Sequence, residues 1–467
     1  MASRDVVTGT GARIGSNIVE SFRARLRGQV LCSDDDGYDN DRKVWNGMFD
    51  RRPAVIARCA NTADVIAAVN FGRQNSLEVA VRGGGHSFSG QSVCDGGLVI
   101  DLSAMRGIHV DPGNRTARAQ PGVKWIDFDH ETQAFGLATT GGTASDTGIA
   151  GLTLGGGLGW LSSKYGLTVD NLISADVVTA DGRFLRASAN ENTDLFWGLR
   201  GGSGNFGIVT SFEYQLHAVG PTIVGGMVAH PLRNAKQVLR FYKQFSKVAP
   251  DELTIYAGLL TPPDGETVVA LVCCYCGVVD TAEKVLAPLK SLGPPALDML
   301  GPMSYIAQQC LFDAAFPAGS YYYTKGAFLA DLTDDIIEVL AEYGATKPSP
   351  LSGILVQTAL GAASRVSSDA MAFAHRKLPY APVIVSQWLD PADSEKNVAW
   401  ARGCWNALES FAGAGAYVND LSHDDTNRIR IAYGSNYDRL AALKDKYDPD
   451  NFFHFNPNIK PARSATN

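Results

Sequence analysis

No stretch of this chain is apolar for long enough to cross a bilayer, and its start, Met1-Ala2-Ser3-Arg4-Asp5, lacks the charged-then-apolar pattern of a secretory leader. A cytoplasmic protein that does not use a membrane is the expectation. Basic residues are also in short supply: 41 Lys and Arg against 48 Asp and Glu leave a formal net charge of −7. With no basic surplus or stripe to neutralise phosphates, a nucleic-acid partner is not expected. Cysteines are few and scattered, and only Cys273-Cys274-Tyr275-Cys276 cluster. That run continues the apolar Val268 to Val272, so strand alternation splits its thiols between two faces and argues against a metal site. Internal repeats and low-complexity tracts are missing, which excludes solenoids and long disordered linkers. With 467 residues, 45% of them hydrophobic and 19% charged, the chain is globular and long enough for two substantial domains.

Glycine, in contrast, is abundant, with 49 residues that concentrate in a few loops. The first loop follows an apolar run: Val79-Ala80-Val81-Arg82-Gly83-Gly84-Gly85-His86-Ser87. Three glycines in succession let the backbone turn through positive φ and approach something bulky, and their free amides form a nest for anionic oxygens. A second run begins at Gly141-Gly142-Thr143-Ala144-Ser145-Asp146-Thr147-Gly148 and continues to Gly155-Gly156-Gly157, with Lys164-Tyr165-Gly166 soon after. A third is Arg200-Gly201-Gly202-Ser203-Gly204-Asn205-Phe206-Gly207-Ile208. Three such loops, each bounded by strand-like residues, point to a large phosphate-bearing cofactor held by backbone. The earlier Gly9-Thr10-Gly11-Ala12-Arg13-Ile14-Gly15 imitates a dinucleotide fingerprint, but its spacing is wrong and no βαβ unit follows. A nicotinamide-dependent reductase is therefore set aside.

Around the first loop, Pro53 to Arg58 reads as a strand and Leu77 to Val81 as another. Between them Asn61 caps a helix with Val65, Ile66, Ala68 and Val69 on its apolar face and Phe71 at its edge. After Pro221 the glycine loops stop, and amphipathic segments such as 235–248 and 333–343 alternate with strands. This composition shift marks a second domain.

The glycine loops and their order resemble those of the vanillyl-alcohol oxidase and p-cresol methylhydroxylase superfamily, in particular the single-His-tethered, bacterial-type berberine-bridge-like oxidases. The resemblance runs from about Arg52 to Leu216 and resumes at Tyr437-Asp438-Arg439-Leu440 and Lys446 to Phe453. It implies an α+β fold with a two-part FAD-binding domain (51–218) behind an N-terminal cover segment (1–50). A substrate domain with a large antiparallel sheet flanked by helices (219–420) follows, and then a C-terminal segment (421–467) that returns to the FAD domain. It also implies FAD joined through its 8α-methyl carbon to His86, whose neutral imidazole is nucleophilic near neutral pH. Some relatives add a Cys tether in the next loop, where this chain has Ala144, so a single bond is expected.

By the same resemblance, Arg82, Gly83, Gly84, Gly85 and Ser87 belong to the cofactor loop. Gly142, Thr143, Asp146, Thr147 and Gly148 lie along the pyrophosphate and ring, Gly207 and Ile208 meet the adenine, and Asn456 bonds the flavin's polar edge. Thr147 either sets oxygen access or simply packs. Tyr417-Val418-Asn419 matches a Tyr-x-Asn motif whose phenol acts as base, and Tyr165 matches a residue near the flavin ring. Gln357, Ser386 and Gln387 interrupt apolar strands of the implied substrate ceiling, so each either contacts a ligand or faces solvent. His375 is expected to make a structural hydrogen bond.

The implied activity is hydride removal from a C–H of a small-molecule substrate to flavin, with O2 as the final acceptor and hydrogen peroxide as the product. An aromatic or secondary-metabolite substrate competes with a sugar or other alcohol. A dehydrogenase with another acceptor, and a non-catalytic flavin-holding binding protein, are the rivals. Oligomeric state is not legible.

Overall fold

The computed structural model describes residues 5–263, 265–411 and 415–462. Met1 to Arg4, part of the stretch on which the leader was judged, lie outside the described residues. The Asn61 side chain accepts from the Asp64 N–H at 3.0 Å and starts the helix Thr62–Gln74, which buries Val65, Ala68, Val69 and Phe71. That helix connects strand Val55–Arg58 to strand Val79–Arg82, and both pair in parallel with Leu98–Asp101 between them. Gln29–Leu31 adds an antiparallel edge to this sheet, so part of the expected cover segment is built into the FAD-side sheet itself. The Gly9 region forms a two-residue hairpin, Val6–Val7 against Arg13–Ile14, and feeds no parallel βαβ unit.

A second sheet is antiparallel throughout, in the order Phe184–Ser188, Leu172–Val178, Ile208–Gln215, Thr116–Ala119, Ile108–Asp111. The third sheet has eight strands, all antiparallel, drawn from residues 222–388. Helices Ala235–Ser246, Asp334–Ala345 and Ser394–Glu409 cover one of its faces, packing Leu239, Ile336 and Trp405 against Ile354, Val356 and Ile384. The first two are the helices expected at 235–248 and 333–343, and Thr333 caps the second by accepting from the Ile336 N–H at 3.3 Å. Cys273 and Cys274 on strand Val268–Tyr275 pack into different cores, as alternation requires. The sheet's other face looks toward the glycine loops. Among the described residues no helix is long and apolar enough to cross a membrane.

The C-terminal segment packs back against residues 195–206. Helix Tyr437–Tyr447 buries Leu440, Leu443 and Tyr447 among Trp197, Leu199 and Phe206. One turn of it carries a fully buried ion pair, Lys444 Nζ to Asp448 Oδ2 at 2.6 Å. The ammonium also donates to the carbonyls of Asn205 (2.8 Å) and Phe453 (2.9 Å), while Asp448 accepts from the N–H groups of Phe452 and Phe453. The pair therefore clamps the C-terminal segment to the third glycine loop. Removing one partner leaves a buried charge uncompensated, which costs about 3–5 kcal/mol. Lys444→Met is expected to lower the thermal unfolding midpoint and loosen this corner, as read by thermal unfolding followed through flavin fluorescence. An unchanged midpoint would contradict the clamp.

Candidate active site

The three glycine loops meet along one cleft of about 350 Å³, a size suited to a small-molecule ligand. Gly83, Gly84 and Gly85 line it beside Thr147 and Gly148 of the second loop and Ser203, Gly204, Gly207 and Ile208 of the third. The first two loops touch backbone to backbone: a Cβ on Gly84 would stand 2.5 Å from the Gly148 Cα, so no side chain fits there. Ser87, Thr143 and Ala144 also line the cleft.

His86 presents its ring at mid-cleft, with Nε2 3.1 Å from Asp146 Oδ1. Burial works against ionisation of Asp146, but the hydrogen bond and charge of His86, with Lys124 nearby, hold its carboxyl below the usual range. An ionised carboxylate only accepts, so in the neutral imidazole the proton sits on Nε2 and Nδ1 keeps a free lone pair. Trp45 stacks on the His86 ring at 4.0 Å and on Tyr322 at 3.8 Å, fixing the imidazole plane.

Tyr417 enters from the far side. Its hydroxyl oxygen accepts from the Gly157 N–H at 2.9 Å and from Asn419 Nδ2 at 3.0 Å. The approach depends on bare backbone, because a Cβ on Gly155 would lie 2.1 Å from Asn419 Oδ1. Burial pushes the phenol up to about 12, helped by the charge of Asp420, while the two donors pull the other way. Above the cleft the large sheet supplies Leu355, Gln357, Val383 and Val385, with Phe312 and Phe316 at its side. At the other end Asn456 donates to the carbonyls of Gly204 and Phe453, leaving its Oδ1 buried and, among the described residues, without a partner. Closely approaching backbone, a nucleophilic imidazole and an orphaned amide oxygen together fit an FAD.

Five expected site residues are placed elsewhere. Arg82 turns its guanidinium behind the loop, bonded to both Asp101 oxygens (3.1 and 2.8 Å) and the Lys43 carbonyl, so it braces the sheet. Gly142 lies one layer back, its carbonyl accepting from the Gln309 amide at 3.0 Å. Tyr165 stacks on His217 at 4.0 Å and donates to the Ala218 carbonyl, because Gly166, at φ +78°, turns the chain away just after it. Ser386 faces the covering helix and donates to the Asn397 carbonyl at 2.9 Å. Gln387 is on the cleft side but beyond Val385, where its amide meets the Ala315 and Leu351 carbonyls. His375 is held by the Ala432 carbonyl at 2.8 Å. Trp45, Tyr322 and Asp420 are site residues that the motifs did not signal.

The FAD binding domain family matches residues 53–188, and the berberine and berberine-like family matches residues 416–460. An FAD-linked oxidoreductase of Dictyostelium discoideum is 35% identical, covering 96% of this chain and 98% of its own length. The solved structure of 6-hydroxy-D-nicotine oxidase from Arthrobacter nicotinovorans superposes with TM-score 0.86 at 30% identity, covering 93% of this chain and 98% of that one. Glucooligosaccharide oxidase from Acremonium strictum, described with a 6-S-cysteinyl, 8α-N1-histidyl FAD, superposes with TM-score 0.85 at 25% identity, covering 95% and 99%. The chain is an FAD-linked oxidoreductase. It belongs to the berberine-bridge-like family of oxidases, with a p-cresol-methylhydroxylase-type FAD-binding domain.

Proposed function

We propose that this chain is a singly tethered flavin oxidase acting on a small, largely apolar substrate. The observation that carries the proposal is the pairing of His86 and Tyr417 across one cleft, each with its reactive atom tuned by fixed partners. Asp146 leaves Nδ1 of His86 as the attaching nitrogen, and Ala144 offers no atom for a second bond. The histidyl FAD of the Acremonium enzyme supports this reading. The glycine loops and His86 would hold FAD, which would supply the redox chemistry: uptake of a hydride from the substrate C–H and its delivery to O2 as hydrogen peroxide.

Tyr417 is proposed as the base for the O–H or N–H next to that C–H. A base must stand as phenolate before it takes that proton, and the Gly157 and Asn419 donors aimed at its oxygen stabilise that charge against the burial that pushes the phenol up to about 12. Gln357 supplies a polar contact in a ceiling otherwise made of Leu355, Val383 and Val385. Such a ceiling matches an aromatic ring better than a sugar, whose hydroxyls would be left unpaired. In this division residues 51–218 hold the cofactor, 219–420 the substrate, and the segment that begins at 421 returns to the FAD domain.

Hydrogen peroxide release against a panel of aromatic metabolites and oligosaccharides tests the proposal. Turnover of aromatic members with fast reoxidation under air is the expected result. Slow reoxidation in air would identify a dehydrogenase, and preference for sugars would overturn the substrate class.

A further inference from the structure

Directly after the Tyr417-Val418-Asn419 stretch comes Asp420, and it lines the same cleft. Only 9% of its surface is exposed. Its backbone is engaged, the N–H donating to the Tyr417 carbonyl at 3.0 Å and the carbonyl accepting from the Thr324 hydroxyl at 2.9 Å. Among the described residues, no hydrogen bond or ion pair reaches its carboxylate. Room for the side chain exists because Gly326 is bare, since a Cβ there would lie 2.8 Å from the Asp420 Cβ and Oδ2.

The charge balance of the cleft is one-sided. Among its described lining residues there is no Lys or Arg, and Asp420 is the sole carboxylate. The cation whose field acts on Asp420 is Arg428, which is turned to the Gly326 carbonyl (2.6 Å) and Asp425 (3.4 Å) instead. Lys325, next along the strand, points to Asp424 and Asp425. A carboxylate held this way is costly unless something brings it a positive charge. The phosphates of a bound FAD would add only negative charge.

We propose that Asp420 recognises a cationic nitrogen on the substrate, so that the cleft selects an aromatic or apolar body bearing one ammonium group. This rests on the cleft being the substrate site, and it narrows the class proposed above from aromatic compounds to aromatic amines. Burial pushes the Asp420 carboxyl up to about 7 against the pull of Arg428, so the empty cleft only partly ionises it at neutral pH. Tyr417 from its own loop, with Arg428 and Asp425 from the turn that follows, are the other titratable or charged groups around it.

Binding to the FAD-loaded protein, read without turnover from the perturbed flavin spectrum under anaerobic conditions, tests this. 2-Phenylethylamine is expected to bind about 30-fold more tightly than 2-phenylethanol, the size of one charged hydrogen bond. In Asp420→Asn that ratio should collapse to near one, and Asp420→Glu should restore part of it. For the permanently charged benzyltrimethylammonium, affinity should fall about tenfold per pH unit below the carboxyl's midpoint, because the protonated acid carries no charge. In Asp420→Asn this pH dependence should vanish.

Equal affinity for amine and alcohol in the unaltered protein would overturn the proposal. So would an Asp420→Asn protein that keeps the ratio or weakens both probes alike, the latter pointing to a proton-relay or folding role. Should Asp420→Asn fail to fold, the pH profile of the unaltered protein decides alone. Ammonium binding with no flavin bleaching by any substrate would sink the oxidase assignment and leave this inference standing.

Discussion

Purified protein precipitated with acid is expected to give a yellow pellet, and His86→Ala is expected to give a colourless pellet under a yellow supernatant. The change is from nearly all flavin retained to none, because no cysteine and no second histidine is among the described residues that line the cleft. The nucleophile must be an imidazole nitrogen with a free lone pair, and the 3.1 Å contact between Nε2 and Asp146 leaves Nδ1 in that state. Trp45, stacked at 4.0 Å, prevents the ring from turning to exchange its nitrogens. Ala144 lines the cleft where a thiol would have to stand, and an alanine methyl forms no bond. Acid unfolding therefore separates one tether from zero. Colour that stays with the His86→Ala pellet would refute the assignment of the bond to His86.

Tyr417→Phe is expected to slow substrate-driven bleaching of the flavin by about 10²–10⁴-fold, the usual range for a lost general base. Ligand affinity should change little, since the phenyl ring keeps its place beside Phe328 and Phe373. The variant also strips an acceptor from the Gly157 N–H and the Asn419 amide, a loss of about 1–3 kcal/mol in stability for a buried donor left unmade. Anaerobic stopped-flow reduction separates these effects, because stability and binding are measured without chemistry. Bleaching at the original rate would remove Tyr417 from the mechanism and favour a protein that holds flavin and ligand without turning over.

Much of this molecule could be read locally. A glycine that must adopt positive φ, or let another backbone pass within van der Waals distance, has no substitute, so the loops at Gly83 to Gly85 and Gly155 to Gly157 announce a bound group from composition alone. Caps are just as local: Asn61 and Thr333 accept from residues three positions ahead and start their helices where expected. The expected site residues that stand away from the cleft share one feature. A motif places a residue near a site without stating which way its side chain points. Ser386 is next to Val385, yet the strand period of two sends one hydroxyl to the helix layer and one methyl pair to the cleft. Arg82 and Tyr165 sit beside loops that reach the cleft, and each turns away from it to satisfy its own polar group.

The class of cofactor and the alternation of helix and strand were legible in the amino-acid order alone, because each depends on residues adjacent along the chain. Folding in three dimensions brings Trp45 and Tyr322 onto His86, ties the last segment to the third glycine loop through Lys444, and leaves the Asp420 carboxylate without a partner among the described residues. These contacts join residues up to hundreds of positions apart, and whether a buried charge finds a partner depends on which layers close over it.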